Sequence, residues 1–200
     1  MKRTWLIDSG HGGMIDGIYQ TSPAKMFTHV NKKTFYEGVY NRLIKEMLIS
    51  RMKDAGLRYI DLCPTELDLL LYNRVQVANS YHQYLDNCVI LSLHSNSGGG
   101  TGFEVFAHPG SIKSKRLGNM LGEQLKYDFP NIIFRKNDNG EYCKTEKFYI
   151  LTYSYSPAIL VECLFFDNWN DYRVLIDPDF QNKYVRSLIQ FMLKAELVAV

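Results

Sequence analysis

The stretch Val89-Ile90-Leu91-Ser92-Leu93-His94 is almost continuously aliphatic and ends in a histidine, which Ser95-Asn96-Ser97 follow. A run of this kind is typical of a β-strand that helices cover on both faces. Other short apolar runs are predicted to be strands as well: Thr4–Asp8, Tyr59–Cys63, Phe103–Ala107, Phe148–Thr152 and Ala158–Leu164.

Apolar residues at helical spacing separate these runs. Four such stripes, near residues 36–47, 71–85, 117–125 and 180–195, are interpreted as helix faces that pack on a core. Alternation of strands and helices predicts an α/β fold: a mostly parallel, twisted sheet of about six strands with helices on both faces. The length of 200 residues suits a single domain spanning 1–200, with no separate wall-binding domain visible.

Composition excludes several classes of protein. Hydrophobic residues make up 46% and charged residues 22%, which supports a packed core and argues against a disordered chain. The net charge of +2, without a basic stripe, gives no reason to expect nucleic acid as a partner. No apolar run approaches the roughly 20 residues of a membrane-spanning helix, so no membrane insertion is expected. No protein partner is evident, and the four scattered cysteines are expected to be reduced.

Residues able to bind a metal or move a proton follow three of the predicted strands. Asp8 and His11 come after the first, His94 ends the run at 89–94, and Glu162 follows Ile159-Leu160-Val161. Ligands of open α/β sheets bind at the carboxyl ends of the strands. These side chains are therefore expected to converge at one edge of the sheet.

The two strand-end histidines favour a zinc site, because neutral imidazole is a preferred zinc ligand. A catalytic zinc usually has three protein ligands, and a carboxylate is the natural third. Glu37, at the start of the first helix pattern, and Glu162 are both candidates for it. Sequence spacing alone does not decide between the two carboxylates.

Several motifs in the same order resemble the zinc-dependent N-acetylmuramoyl-L-alanine amidases of the type 3 family, over nearly the whole chain. They are Ile7-Asp8-Ser9-Gly10-His11-Gly12-Gly13, Glu37 with Asn41, Thr65-Glu66-Leu67-Asp68 with Arg74 and Ala78-Asn79, Ser92-Leu93-His94-Ser95-Asn96-Ser97, Gly102-Phe103-Glu104-Val105-Phe106, and Pro157-Ala158-Ile159-Leu160-Val161-Glu162 with Phe165 and Asn168. The chain departs from the family pattern at Ser9, at Glu66, at Leu164, where glycine is usual, and in the long segment between His11 and Glu37.

The resemblance implies a role for each residue. It makes His11, Glu37 and His94 the ligands of one zinc ion and Glu162 the catalytic residue. It also implies that the bond cut is the amide between N-acetylmuramic acid and L-alanine in bacterial peptidoglycan. Further candidates to orient the ligands or to contact substrate are Asp8, Ser95 and Asn96.

Three other functions stay open at this point. A zinc carboxypeptidase acting on wall peptides would favour a closely spaced His-x-x-Glu pair, which the sequence lacks, and would need a positive group for the substrate carboxylate. A non-catalytic wall-binding module would have the fold without turnover. A purely structural protein would bind no stoichiometric metal.

The polar segment from Met14 to Thr34 is too long for an ordinary loop, so it is predicted to form a wall or a mobile cover of the substrate groove. The N-terminal run Trp5-Leu6-Ile7 is too short for a signal peptide. We therefore expect synthesis in the cytoplasm. Action on the wall would follow release at lysis, as for a phage endolysin, or export by another route.

Overall fold

The computed structural model describes residues 2–21, 23 and 25–198. Its strands are β1 (Thr4–Ser9), β2 (Met14–Ile15), β3 (Ile18–Tyr19), β4 (Met26–Thr28), β5 (Thr34–Tyr36), β6 (Arg58–Asp61), β7 (Cys88–Asn96), β8 (Glu104–Ala107), β9 (Cys143–Thr145) and β10 (Ala158–Phe165). Its helices are α1 (Glu37–Asp54), α2 (Leu71–Tyr84), α3 (Ile112–Asp128), α4 (Tyr149–Tyr153), α5 (Trp169–Leu175) and α6 (Pro178–Glu196).

A six-stranded sheet forms the centre of the described chain, in the order β6-β1-β7-β10-β8-β9. The four strands β6, β1, β7 and β10 are mutually parallel. Strand β8 runs antiparallel to β10, and β9 is parallel to β8. The mostly parallel sheet predicted from the sequence is confirmed.

Helices cover both faces of this sheet, as predicted. Alternate residues of each central strand point to opposite sides, so Leu91 and Val161 join the core beneath α1, α3, α5 and α6. Ile90 and Leu160 join a smaller core beneath α2 and α4. Both faces are apolar, which explains the nearly continuous aliphatic runs.

One predicted strand is wrong. Residues 148–152 form most of α4, and the sixth strand of the sheet is β9 instead. A short apolar run does not distinguish a strand from a buried helix. Here Ile150 and Leu151 are both buried, while the Tyr149 and Tyr153 rings meet one helical turn apart at a centroid distance of 4.5 Å. These contacts select the helix.

The long segment before α1 is more ordered than its composition indicates. It contains two short antiparallel ribbons, β2 with β3 and β4 with β5. All four cysteines are buried free thiols, as expected. Among the described residues, no helix has both the length and the apolar character needed to cross a membrane.

Candidate metal centre and active site

The carboxyl ends of β1, β7 and β10 meet at one edge of the sheet and line a cleft of about 620 Å³. His11 follows β1, His94 lies near the end of β7, and Glu162 lies in β10. All three side chains reach the cleft, together with Glu37 from the first position of α1. The predicted convergence of the strand-end residues is confirmed.

Glu37 lies between the two histidines. Its Oε2 is 3.3 Å from Nε2 of His11, and its Oε1 is 3.0 Å from Nδ1 of His94. The two imidazole rings are nearly perpendicular, with centroids 5.1 Å apart. One ligand atom from each of the three residues falls within 4.8 Å of the others.

This donor set fits a catalytic zinc. Two imidazoles and one carboxylate are among the ligand sets that such sites use, and a catalytic site keeps a further position open. The three side chains border the cleft, so substrate can reach them from that side. Within the described residues, His11, Glu37 and His94 form the cluster of potential metal ligands, and Glu162 is not a member.

Charge complementarity holds the cluster together. Burial opposes ionisation of Glu37, but hydrogen bonds with His11 and His94 outweigh it and lower the pKa of this carboxyl to about 2. Burial also opposes a charge on His94, but Glu37 and Glu162 outweigh it and raise the pKa of this imidazole to about 9. The Glu37 carboxylate thus favours a positive partner, which a bound cation would supply.

Two glycines allow the close approach of these elements. A Cβ atom at Gly10 would overlap the imidazole ring of His94, and one at Gly38 would overlap the backbone carbonyl of Gly12. Because Gly10 has no Cβ, His94 can lie against the turn after β1. Because Gly38 has no Cβ, the start of α1, and hence Glu37, can lie against the loop that carries His11. His11 itself has a φ of 67°, a left-handed conformation that few non-glycine residues adopt.

Two buried arginines support the His11 loop. Arg74 donates hydrogen bonds to the carbonyl of Ser9 at 2.6 Å and to that of His11 at 3.2 Å. Arg42 donates to the same His11 carbonyl at 2.6 Å. Asp8 accepts from Arg74 at 2.8 Å and from Ser92 at 2.5 Å, so it acts on the ligand loop through Arg74. Sequence reasoning did not assign these roles to Arg42 and Arg74.

The other two candidate orienting residues have different positions. The backbone N–H of Ser95 donates to Oε1 of Glu37 at 3.3 Å, so Ser95 helps to orient a proposed ligand. Asn41 also donates to this oxygen, at 3.4 Å. Asn96 lines the cleft, but its side chain donates to Oε2 of Glu104 at 2.6 Å. Asn96 therefore supports Glu104. Among the described residues, it makes no hydrogen bond to His11, Glu37 or His94.

Glu162 has the properties of a proton-transfer group. Its Oε2 atom is buried and has no hydrogen-bond partner within the described part of the chain. Burial, helped by the nearby carboxylates Glu37 and Glu104, raises the pKa of Glu162 to about 7. A carboxyl group with a pKa near neutrality can both accept and release a proton at physiological pH.

Two walls of different character flank these groups. One wall comes from the long segment before α1 and includes Gln20, Thr21 and Lys25. A second part of the lining is formed by residues 69–71 at the start of α2 and residues 148–150 at the start of α4. His29 does not line the cleft; its ring stacks on Tyr172 at 3.8 Å and is 2.8 Å from the carbonyl oxygen of Phe166.

The chain is similar to known proteins over most of its length. The family described as N-acetylmuramoyl-L-alanine amidase matches residues 6–194. The N-acetylmuramoyl-L-alanine amidase CwlM of Bacillus licheniformis is 29% identical over 185 residues, which cover 90% of this chain. The chain spans about 63% of the length of that relative.

Two solved structures share the fold. The catalytic domain of CwlV, an N-acetylmuramoyl-L-alanine amidase from Bacillus (Paenibacillus) polymyxa var. colistinus, superposes with a TM-score of 0.76 at 22% identity, covering 98% of this chain and 99% of that one. The amidase AmiC2 of Nostoc punctiforme gives 0.78 at 20% identity, covering 99% of both chains. With the family match over residues 6–194, the chain belongs to the N-acetylmuramoyl-L-alanine amidase family, Amidase_3.

Proposed function

We propose that this protein is a zinc-dependent hydrolase that cuts the amide bond between N-acetylmuramic acid and L-alanine in bacterial peptidoglycan. Family membership supports the reaction class. The observation that carries the proposal is the cluster of His11, Glu37 and His94, with ligand atoms within 4.8 Å of one another at the edge of the cleft. Glu162 lies in the same cleft but outside the cluster.

His11, Glu37 and His94 would hold one zinc ion. When bound, zinc polarises a carbonyl oxygen and lowers the pKa of water from 15.7 toward about 7. Ser95 and Asn41 keep the Glu37 carboxylate in place through hydrogen bonds to Oε1. Arg74 and Arg42 hold the His11 backbone.

Glu162 acts as the general base in this proposal. Its Oε2, which has no hydrogen-bond partner among the described residues, accepts the proton of the attacking water, and the protonated carboxyl then gives that proton to the leaving nitrogen of L-alanine. A pKa of about 7 suits both transfers. Burial disfavours the carboxylate form of Glu162. The protonated carboxyl therefore readily gives its proton to the leaving amine.

A carboxypeptidase acting on wall peptides is the second candidate. Lys25 in the cleft wall could supply the positive group that such an enzyme needs for the substrate carboxylate. The two activities release different ends. Amide hydrolysis at N-acetylmuramic acid frees a whole peptide with an N-terminal L-alanine, whereas a carboxypeptidase frees single C-terminal amino acids.

Digestion of purified peptidoglycan, followed by mass spectrometry of the products, tests the proposal. We expect intact stem peptides with new L-alanine amino termini and peptide-free glycan strands. Release of single amino acids would instead identify the carboxypeptidase. Absence of any product from zinc-loaded protein would support a non-catalytic wall-binding module. The cellular route to the wall, by phage lysis or by export, stays a prediction.

A further inference from the structure

The chain around α4 presents an uncharged aromatic surface. Residues 148–157, reading FYILTYSYSP, contain four aromatic side chains and no charged one. We name Phe148, Tyr149, Tyr153 and Tyr155 the aromatic row. Phe148 is 38% exposed, Tyr153 56% and Tyr155 65%. Exposed apolar surface that adjoins a cleft is a candidate binding surface.

The aromatic row begins in the proposed active-site cleft and continues outward. Phe148 and Tyr149 line the cleft. Tyr153 lies one turn further along α4, with its ring centroid 4.5 Å from that of Tyr149, and Tyr155 follows after the helix. The row therefore runs from the cleft lining along α4 toward the start of β10.

Hydrogen bonds to α2 fix the outer end of the row. The Asn79 side chain donates to the Tyr153 carbonyl at 2.9 Å and accepts from the Tyr155 backbone N–H at 2.8 Å. The Ile150 and Leu151 side chains anchor α4 from beneath in the smaller core. The aromatic rings are thus carried by a backbone that is already positioned, which lowers the entropic cost of binding.

The two cleft walls match the two parts of the proposed substrate. The sugar strand offers apolar ring faces with hydroxyl groups at their edges, and the lactyl carboxyl of the cut residue is neutral because it forms the amide. Tyrosine offers an apolar ring with a polar tip, which suits such a ligand. The stem peptide carries free carboxylates, and Lys25, which belongs to the segment before α1, lies in another part of the cleft lining.

We propose that the aromatic row is a subsite for the glycan strand of peptidoglycan and that the stem peptide leaves the cleft on the Lys25 side. This inference rests on the proposed amidase function. A polymer of sugars continues beyond the cut residue, so it needs a surface outside the cleft. Tyr153 and Tyr155 supply that surface, because both are exposed beyond the cleft lining.

Binding of peptide-free glycan strands, measured by isothermal titration calorimetry, tests the subsite without catalysis. We expect Tyr153→Ala and Tyr155→Ala each to weaken binding by about 3- to 10-fold, as loss of one aromatic contact would. Tyr127→Ala is the matched control, because Tyr127 is 82% exposed on α3, outside the cleft lining. Unchanged glycan binding in the Tyr153→Ala/Tyr155→Ala double variant would overturn the proposal.

Kinetics on two substrates separate this inference from the proposed function. On whole sacculi the double variant should have a raised KM, whereas on a soluble single-sugar muramyl peptide it should match the wild type. Equal loss on both substrates, or weaker binding of free stem peptide, would contradict a glycan role. If the wild type cuts neither substrate, the proposed function fails, while the glycan-binding result still decides the subsite.

Discussion

Glu162 lies directly opposite His94 in the central sheet, because β10 and β7 are paired in parallel with these two residues in register. Both side chains therefore point to the same face at the carboxyl ends of their strands. The pairing brings the Glu162 carboxyl beside the cluster of His11, Glu37 and His94 without making it a member. Glu37, hydrogen-bonded to two imidazoles, has a pKa of about 2, whereas Glu162, whose Oε2 atom is buried, has a pKa of about 7. Two carboxyl groups whose surroundings give them such different pKa values are suited to different chemical roles.

Gly10→Ala should weaken zinc binding while the fold is retained. The new Cβ would overlap the His94 ring, so the imidazole must shift from its position beside Glu37. We expect at least about 10-fold lower zinc affinity, measured by chelator competition. Gly110→Ala is the control, because the nearest atoms to its Cβ would be 3.3 Å away in the His108 side chain. Equal zinc affinity in both variants would show that the His94 position tolerates the methyl group.

Arg74→Lys should also lower zinc affinity, by about 10- to 100-fold, as loss of groups that orient metal ligands does. One lysine ammonium cannot reproduce the fork that bonds Asp8 and the Ser9 and His11 carbonyls together. Arg51→Lys, at a partly buried contact with Asn182 away from the cleft lining, is the control. A purely structural role for Arg74 predicts a lower melting temperature with zinc affinity unchanged, which would contradict the positioning role.

Glu162→Gln should stabilise the metal-free protein at alkaline pH. The carboxyl has a folded pKa of about 7, above its ordinary value of 4.5, so its ionisation is disfavoured in the fold. The free-energy cost of ionising Glu162 in the folded protein is therefore absent below pH 4.5, grows as the pH rises to 7 and persists above pH 7. At pH 8 the Glu162→Gln variant should gain about 3 kcal/mol in free energy of unfolding, given 1.36 kcal/mol per pKa unit. Urea unfolding at pH 5 and pH 8 measures it; a gain independent of pH would contradict the raised pKa.

Lys25→Met should impair the reaction on peptidoglycan by about 2- to 5-fold in kcat/KM, the size expected for an exposed charge contact. Lys25 lines the cleft and acts electrostatically on Glu162, and methionine keeps a similar length without the charge. Lys33→Met, outside the cleft lining, is the control. Wild-type kinetics of both variants on whole sacculi would show that Lys25 does not give the segment from Met14 to Thr34 a role in the reaction.

Much of the site could be predicted because parallel strands end at the same edge. That rule alone brings His11, His94 and Glu162 together from distant parts of the sequence. It could not place Glu37, whose position depends on the contact of Gly38 with Gly12. The spacing therefore left both Glu37 and Glu162 as candidates for the metal, and only the family resemblance assigned them.

Other features lie beyond what sequence patterns can predict. Arg74 and Arg42 bond backbone carbonyls, which carry no residue-specific signal in the sequence. Leu164 occupies a position where the family usually has glycine, and its φ of 61° shows that the backbone keeps a left-handed conformation there. The register of β10 shifts between Glu162 and Phe165 at the same place. Burial of the Leu164 side chain to 1% exposure offsets the cost of this conformation.

The central claim is that Glu162 moves the proton and does not bind the metal. The direct measurement takes one preparation of zinc-loaded Glu162→Gln and records its zinc content, melting temperature and turnover of peptidoglycan. Glutamine keeps the shape of glutamate but cannot accept the proton of the water. We expect wild-type zinc content and a folded protein, with turnover lower by about 10²–10⁴-fold or more. Near-normal turnover in the folded, zinc-loaded variant, or loss of zinc that excess metal restores together with activity, would contradict the claim.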